Sequence, residues 1–503
     1  MSSAVNSPPA EAAVPQFKQM MGHPAPLWML FMSEFWERFA FYGIRWALVL
    51  YIVDQFHGGS ATGQADANLT YGSYLALVYA TAIFGGYIAD KVIGYQRSIL
   101  VGAVFMATGL FMITLPNALL FKMGLATIVA GNGMFKPNIS TMVGKLYAVS
   151  DERRDSGFTI FYMGINAGAF LAPLFTGWLA NTVFGTDAMP AYKFVFMSAG
   201  FGMLVSMVWF YIGRRQLGEI GRPPAGAEGR MRVAYVIVGA ALVVPIIYLL
   251  LAVGAQFLQY VLTAMFIGLS VMLMIEGIRD GKVARDKTIA MLLIFVFNIM
   301  FWMFFEQAGS SFTFLADNIV NRDLGGFIFK TAWFQSVNSV AIILLAPVMA
   351  WIWVALAKKN ANPSIPRKFG LGLLFNGLAF LLLMYALSSL INPADNKIPF
   401  WTLVAVYGIQ SVGELCLSPI GLSMVTKLAP MRLVGLGMGG WFLSTGIGNN
   451  LSGIFASEVS GKTGMSTTSA LSGYTFGFWA LLTAGLVLLL AAPQVNKLLH
   501  GVK

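Results

Sequence analysis

Apolar residues in this chain gather into long runs with few polar interruptions. These runs lie near 28–53, 70–91, 98–115, 119–146, 156–183, 192–213, 232–253, 256–277, 288–315, 328–357, 369–391, 399–427, 433–459 and 472–493, which predicts about fourteen helices. A run of about 20 apolar residues crosses about 30 Å of hydrocarbon as an α-helix. Several runs are longer than that, which implies tilt or helical extension beyond the lipid. The runs are apolar all round rather than along one stripe, the pattern of helices surrounded by lipid. The expected fold is therefore an all-α polytopic membrane protein.

Composition agrees. Of the 503 residues 57% are hydrophobic and only 11% charged, against about 25% charged in soluble chains. The net charge of +11 reads as the excess of Lys and Arg on cytoplasmic loops, not as a nucleic-acid interface. With the N-terminus inside, most of the 32 basic residues fall on the cytoplasmic side, so both termini are expected there. The densest basic runs, Arg214–Arg232 and Arg279–Lys287, flank an apolar hairpin without embedded charge. Six helices remain on each side of it, the layout of transporters built from repeats. The expected organisation is a cytoplasmic tail (1–27), a six-helix bundle (28–213), a linker with an inserted transmembrane hairpin (214–287), a second six-helix bundle (288–493) and a cytoplasmic tail (494–503). The N-terminal stretch has neither a basic n-region nor an apolar h-region and reads as a flexible tail, not a signal peptide. Cys416 is the only cysteine, so no internal disulfide forms.

The loop after the second helix reads Gly85-Gly-Tyr-Ile-Ala-Asp90-Lys-Val-Ile-Gly94-Tyr-Gln-Arg97. A close-packing glycine, an Asp at a helix end, a turn glycine and a basic residue in this order resemble the loop signature of the major facilitator superfamily. Gly435-x-Gly437-x-x-Gly440 matches a nucleotide fingerprint in spelling only. It opens an apolar helix with no strand before it, which favours small-residue helix packing. The sequons at Asn68 and Asn138 are patterns without an assigned role.

An ionisable group at mid-membrane costs at least about 2.5–3.5 kcal/mol, so each calls for a function. Away from helix ends the chain carries Glu34, Glu37, Arg38, Lys136, Glu306 and Glu414, with Arg45 further out on the first helix. Spacings of three and four place Glu34, Glu37, Arg38, Phe41, Tyr42 and Arg45 along one broad face, which predicts an aqueous cavity beside it. Pro137 follows Lys136 and Pro419 follows Glu414 by five residues; proline inside a helix frees a carbonyl where a cavity or moving part is near.

Here the similarity narrows. Glu34-x-x-Glu37-Arg38-Phe39 on the first helix and Phe161-Tyr162-Met163-Gly164-Ile165-Asn166-Ala167-Gly168 on the fifth resemble the proton-dependent oligopeptide transporters of the major facilitator superfamily. Phe301-Trp302-x-x-Phe305-Glu306-Gln307, Phe334-Gln-Ser-Val-Asn338 and Trp441-Phe-Leu-Ser444 continue the resemblance. Phe41 stands where the family often has Tyr, and Ala169 where it often has Ser. The resemblance implies a bacterial-type member with the extra helical hairpin, importing di- and tripeptides by proton symport and alternating access. It implies residence in the bacterial cytoplasmic membrane, no enzymatic activity and no cofactor or metal. A monomer in membrane lipid is expected.

The residues fit that chemistry. A zwitterionic peptide separates its carboxylate and ammonium by about 5–7 Å, on the order of two extended residues. Arg38 and Lys136 suit the carboxylate; Glu414, in the other half, suits the ammonium. Tyr42, Tyr79, Asn166 and Asn338 are candidates for the peptide backbone, Trp302 and Trp441 for walls of side-chain pockets or for plain packing, and Ser444 is a further candidate peptide-binding residue. His23, His57 and His500 all fall in expected tails or loops, so protons are expected to ride on carboxylates. Glu34 and Glu37 against Lys136, and Glu306 against Arg38, are the expected switches, because burial raises a carboxyl pKa and a nearby cation lowers it. The alternative is a carrier of another small solute, such as nitrate or a drug-like amphiphile.

Overall fold

A computed structural model describes residues 16–148 and 151–502. Among them are fourteen helices of 18 residues or more. The first six are α1 (Ala25–Phe56), α2 (Gln64–Ile88), α3 (Tyr95–Met112), α4 (Ala118–Lys145), α5 (Arg154–Trp178) and α6 (Tyr192–Gly213). The hairpin is α7 (Arg230–Val253) and α8 (Ala255–Arg279). Then follow α9 (Lys282–Phe305), the short α10 (Ser311–Asn318), α11 (Phe334–Lys358), α12 (Ile365–Ser389), α13 (Phe400–Leu428), α14 (Val434–Ser460) and α15 (Thr467–Leu498).

Thirteen spans are apolar enough to cross a membrane on composition alone. The exception is α14. Its Ser444, Thr445, Asn449, Asn450 and Ser452 are all buried, so its polar residues meet protein, not lipid. The lipid-facing surface is supplied by helices such as α7 and α11, where Leu242, Ile246, Leu344 and Trp351 are exposed.

Helices α1 to α6 pack on one another, and α9 to α15 do likewise; α2 against α14 and α5 against α11 form the seam between them. The hairpin straddles that seam. Its first leg, α7, lies on α4 and its second, α8, on α14 and α9. A single residue, Gly254 with φ +108°, joins the legs, a conformation that favours glycine.

Three expectations change. The helix expected over 288–315 breaks: α9 ends at Phe305, Glu306–Gly309 forms a 3₁₀ turn, and α10 resumes at Ser311. The C-terminal tail expected from 494 is helical to Leu498; Lys503 lies outside the described residues. The first fifteen residues of the N-terminal tail also lie outside them. The rest of that tail is tethered: Gln19–Met20 pairs with His23–Pro24, Arg153 donates to Gln19 and to the Gly22 carbonyl, and His23 bonds the Tyr147 hydroxyl at 2.8 Å.

The signature loop is built as its residue types require. A Cβ on Gly85 would collide with the Gly133 carbonyl of α4. Asp90 accepts from the Tyr95 hydroxyl, and Gly94 turns the chain at φ +80°. Asn68 of the first sequon is fully buried and spends its amide on Ala456 O at 3.0 Å and Ser460 Oγ at 2.9 Å.

Candidate functional site

The expected stripe on α1 exists and is buried. Arg38 bonds the Glu37 carboxylate with both Nε and Nη2, and its Nε lies 3.3 Å from Glu34 Oε1. Asn132 on α4 donates to Glu37 Oε1 at 3.3 Å. The second oxygen of Glu34 is enclosed without a hydrogen-bond partner. This close pairing depends on α5 lying tight against α1. A Cβ on Gly164 would meet the Phe31 ring, and one on Gly168 would meet Phe35 O and Arg38 Cβ, which accounts for the two glycines of the α5 motif.

Lys136 is half-buried on α4, and its Nζ stands 4.5 Å from the centroid of the Tyr79 ring. It makes no ion pair among the described residues, although Glu34, Glu37 and Glu306 lie within its electrostatic range. A cation over an aromatic face is stabilised without being neutralised. The expected pairing of Glu34 and Glu37 with Lys136 is thus replaced by pairing with Arg38.

The expected pairing of Glu306 with Arg38 also changes. Glu306, at the break after α9, bonds Arg45 Nη2 on α1, and Arg45 Nε donates to the Tyr71 hydroxyl at 3.0 Å. Arg45 lies seven residues beyond Arg38, about 10 Å along the same helix face. The helix break sets Glu306 at that level. Arg45 was not among the expected site residues; its place on the polar stripe was the available signal.

In the second half, Asn338 on α11 donates to Glu414 Oε2 at 3.1 Å and to Ser411 Oγ at 2.9 Å. Glu414, half-buried on α13, has no ion-pair partner among the described residues, while Glu306 and Arg45 lie within its electrostatic range. Trp302 donates to Asn298 Oδ1 at 3.0 Å. Asn298, which sequence reasoning missed, also donates to Ser444 Oγ at 2.8 Å and Thr445 Oγ1 at 3.1 Å. Trp441 is buried between Phe295 and Phe369. Trp441 and Ser444 are therefore packed within their own half and support Trp302 through Asn298. Tyr42 is half-buried beside Arg45, whose Cζ lies 5.8 Å from its ring centroid. Asn166 donates to Tyr162 O at 3.0 Å.

Among the described residues, the hydrogen bonds and ion pairs between the halves cluster away from the termini. Besides Asn68, they include Ser73 to Asn450 at 3.1 Å, the Met465 N–H to Gln64 Oε1 at 2.8 Å, Ser336 to Phe170 O at 2.7 Å, and Lys330 with Asp187 at 2.7 Å. The halves are fastened at the end bearing the α1–α2 loop.

A family model described as PTR2, the POT family, matches residues 96–470. The chain belongs to the POT family. It is 37% identical over 470 residues to the peptide transporter YePEPT of Yersinia enterocolitica, covering 88% of this chain and 90% of that one. It is 31% identical over 506 residues to dipeptide and tripeptide permease A of Salmonella typhimurium, covering 99% and 97%. Among solved structures, a POT peptide transporter in complex with alafosfalin superposes with a TM-score of 0.80 at 34% identity, over 96% of this chain and 97% of that one. A POT family transporter in complex with 5-aminolevulinic acid superposes with a TM-score of 0.80 at 29% identity, over 96% and 99%. The two packed bundles and the inserted hairpin are thus the major facilitator fold as POT transporters carry it, and the protein is an integral membrane protein.

Proposed function

We propose that this POT-family protein is a symporter that moves di- and tripeptides together with protons by alternating access. The observation that carries the reading is a pair of opposite charges on facing halves. Among the described residues Lys136 stands over an aromatic ring without an ion pair, and Glu414 accepts from the neutral Asn338 amide without an ion pair. Charges embedded in a membrane protein are costly unless satisfied. A zwitterionic peptide satisfies both, its carboxylate at Lys136 with Arg38 nearby, its ammonium at Glu414. Tyr42, Tyr79, Asn166 and Asn338 offer polar groups to the peptide backbone between the poles, and Trp302 offers a wall.

Glu34, Glu37 and Glu306 are the proposed proton carriers. Arg38 holds both Glu34 and Glu37, and Arg45 holds Glu306; protonating Glu306 releases Arg45, and protonating both Glu34 and Glu37 releases Arg38. A freed arginine attracts the peptide carboxylate, which links proton to substrate. The drive is about 2.3 kcal/mol per charge per 100 mV, plus about 1.4 kcal/mol per pH unit.

The proposed orientation places both termini in the cytoplasm of a bacterium, because the basic linker segments lie on that side. The bonded end of the seam is then outward, and the conformation faces inward. The proposed division into bundles follows the linker at 214–229 and the hairpin behind it. A carrier of a simple anion such as nitrate gains nothing from Glu414. Counterflow into liposomes tests the assignment: preloaded dialanine drives entry of labelled dialanine, and preloaded nitrate does not. Counterflow with nitrate alone would overturn it.

A further inference from the structure

A charged cavity lies outside the candidate site, where the linker folds back on the signature loop. It has a volume of about 410 Å³, and Arg97, Arg214, Arg215 and Arg222 line it together with Gln96 and Glu228. The linker is fixed there by backbone contacts. Gln96 N donates to Gly221 O at 2.9 Å and Gln96 Nε2 to Ile220 O at 2.7 Å, while Arg97 Nη2 donates to Glu228 O at 2.8 Å.

The charges around the cavity do not cancel. Arg222 pairs with Glu219 at 2.8 Å. The Glu228 carboxylate turns back to accept from the Gly226 N–H at 3.2 Å and pairs with no arginine. Arg97 keeps its Nη1 enclosed without a hydrogen-bond partner. Arg214 lies over the Tyr211 ring, 4.5 Å from its centroid. Arg215 is exposed and has no partner among the described residues. Three guanidinium groups thus surround one cavity without a carboxylate bonded to any of them. Guanidinium groups match phosphate oxygens with paired N–H donors.

Exposed apolar side chains precede the lining arginines in the chain. Tyr211 and Ile212, in the last turn of α6, are 56% and 67% exposed, next to Arg214. An anion that suits both features carries phosphate at one end and hydrocarbon at the other. Basic pockets at the cytoplasmic ends of membrane helices hold lipid headgroups of this kind.

We propose that this cavity binds the headgroup of an anionic glycerophospholipid, its phosphate among Arg97, Arg214 and Arg215 and its acyl chains against Tyr211 and Ile212. Bound there, the lipid fastens the linker to the α2–α3 loop and so steadies the first leg of the hairpin on its own bundle.

The test is thermal unfolding of the full chain in neutral detergent, titrated with diphosphatidylglycerol, phosphatidylcholine or inorganic phosphate at equal phosphate concentration. Diphosphatidylglycerol should raise the melting temperature saturably, and the other two should not. In the Arg214→Gln/Arg215→Gln variant the half-saturating lipid concentration should rise by roughly tenfold or more. Arg279→Gln, in the other basic segment, should leave it unchanged. Should the double variant fail to fold, Arg215→Gln alone, at an exposed and unpartnered side chain, must show a weaker shift in the same direction. An equal response to inorganic phosphate, or equal lipid affinity in the arginine variants, would overturn the proposal.

Discussion

Arg45 on α1 and Glu306 at the break after α9 form an ion pair that joins the two halves of the molecule. Arg38, two turns earlier on α1, keeps its carboxylate partners within its own half. The two arginines on one helix face therefore do different things. One holds a local cluster, and the other ties the halves together. Protonation of Glu306 would loosen that tie, and it is the carboxylate we propose to couple a proton to the rocking of the bundles.

Glu306→Gln should separate coupling from transport. The neutral amide mimics the protonated state, so peptide binding and exchange should persist while concentrative uptake fails. A purely structural pair would behave otherwise: an unpaired buried Arg45 costs about 3–5 kcal/mol, and melting temperature, exchange and uptake would fall together. The three measurements on one purified preparation distinguish these outcomes.

Lys136→Ala should lose both counterflow and driven uptake, because its ammonium is the proposed anchor of the peptide carboxylate. A charge-assisted contact is worth about 1.5–3 kcal/mol, so peptide affinity should drop by about tenfold to a hundredfold. Equilibrium binding of dialanine reads this directly, and full counterflow in the variant would remove Lys136 from the peptide site.

Glu414→Gln should weaken peptides with a free N-terminus by about tenfold or more and leave N-acylated ones nearly unchanged. The variant keeps the shape and the bond to Asn338 but loses the negative charge. Competition against labelled dialanine compares the two classes; equal loss in both would place the ammonium elsewhere.

The polar stripe on α1 was legible because spacings of three and four within one helix determine a shared face. The membrane helices, the two halves and the hairpin were legible from apolar run length and loop charge. The partner of Glu306 was not, since it depends on where α9 breaks and how far it slides along α1. No spacing inside either helix carries that information. Trp441 was legible only as a pocket wall or plain packing, and Ser444 only as a candidate peptide-binding residue. Their burial against Phe295, Phe369 and Asn298 is a tertiary fact. Of the three glycines read as packing positions, Gly437 and Gly440 are: a Cβ on Gly437 would press on Ala429 and one on Gly440 on Phe295 and Leu269, whereas a Cβ on Gly435 would meet open space.

Gly72→Val should jam the seam. A Cβ at Gly72 would stand 2.6 Å from Gly453 Cα on α14, closer than any real contact. The bonded end should then fail to close, and transport should stop with the fold intact. Labelling of single cysteines at that end should rise several-fold above the parent protein; unchanged labelling with normal uptake would show that the contact is not required for closure.

If a proton gradient drives peptide through this protein, labelled dialanine uptake into proteoliposomes, with and without an imposed inward pH gradient, should show it. Accumulation above the external concentration is expected only with the gradient, abolished by a protonophore, with simple equilibration without it. Accumulation indifferent to the gradient and to the protonophore, or no dialanine entry under either condition, would contradict proton-driven transport.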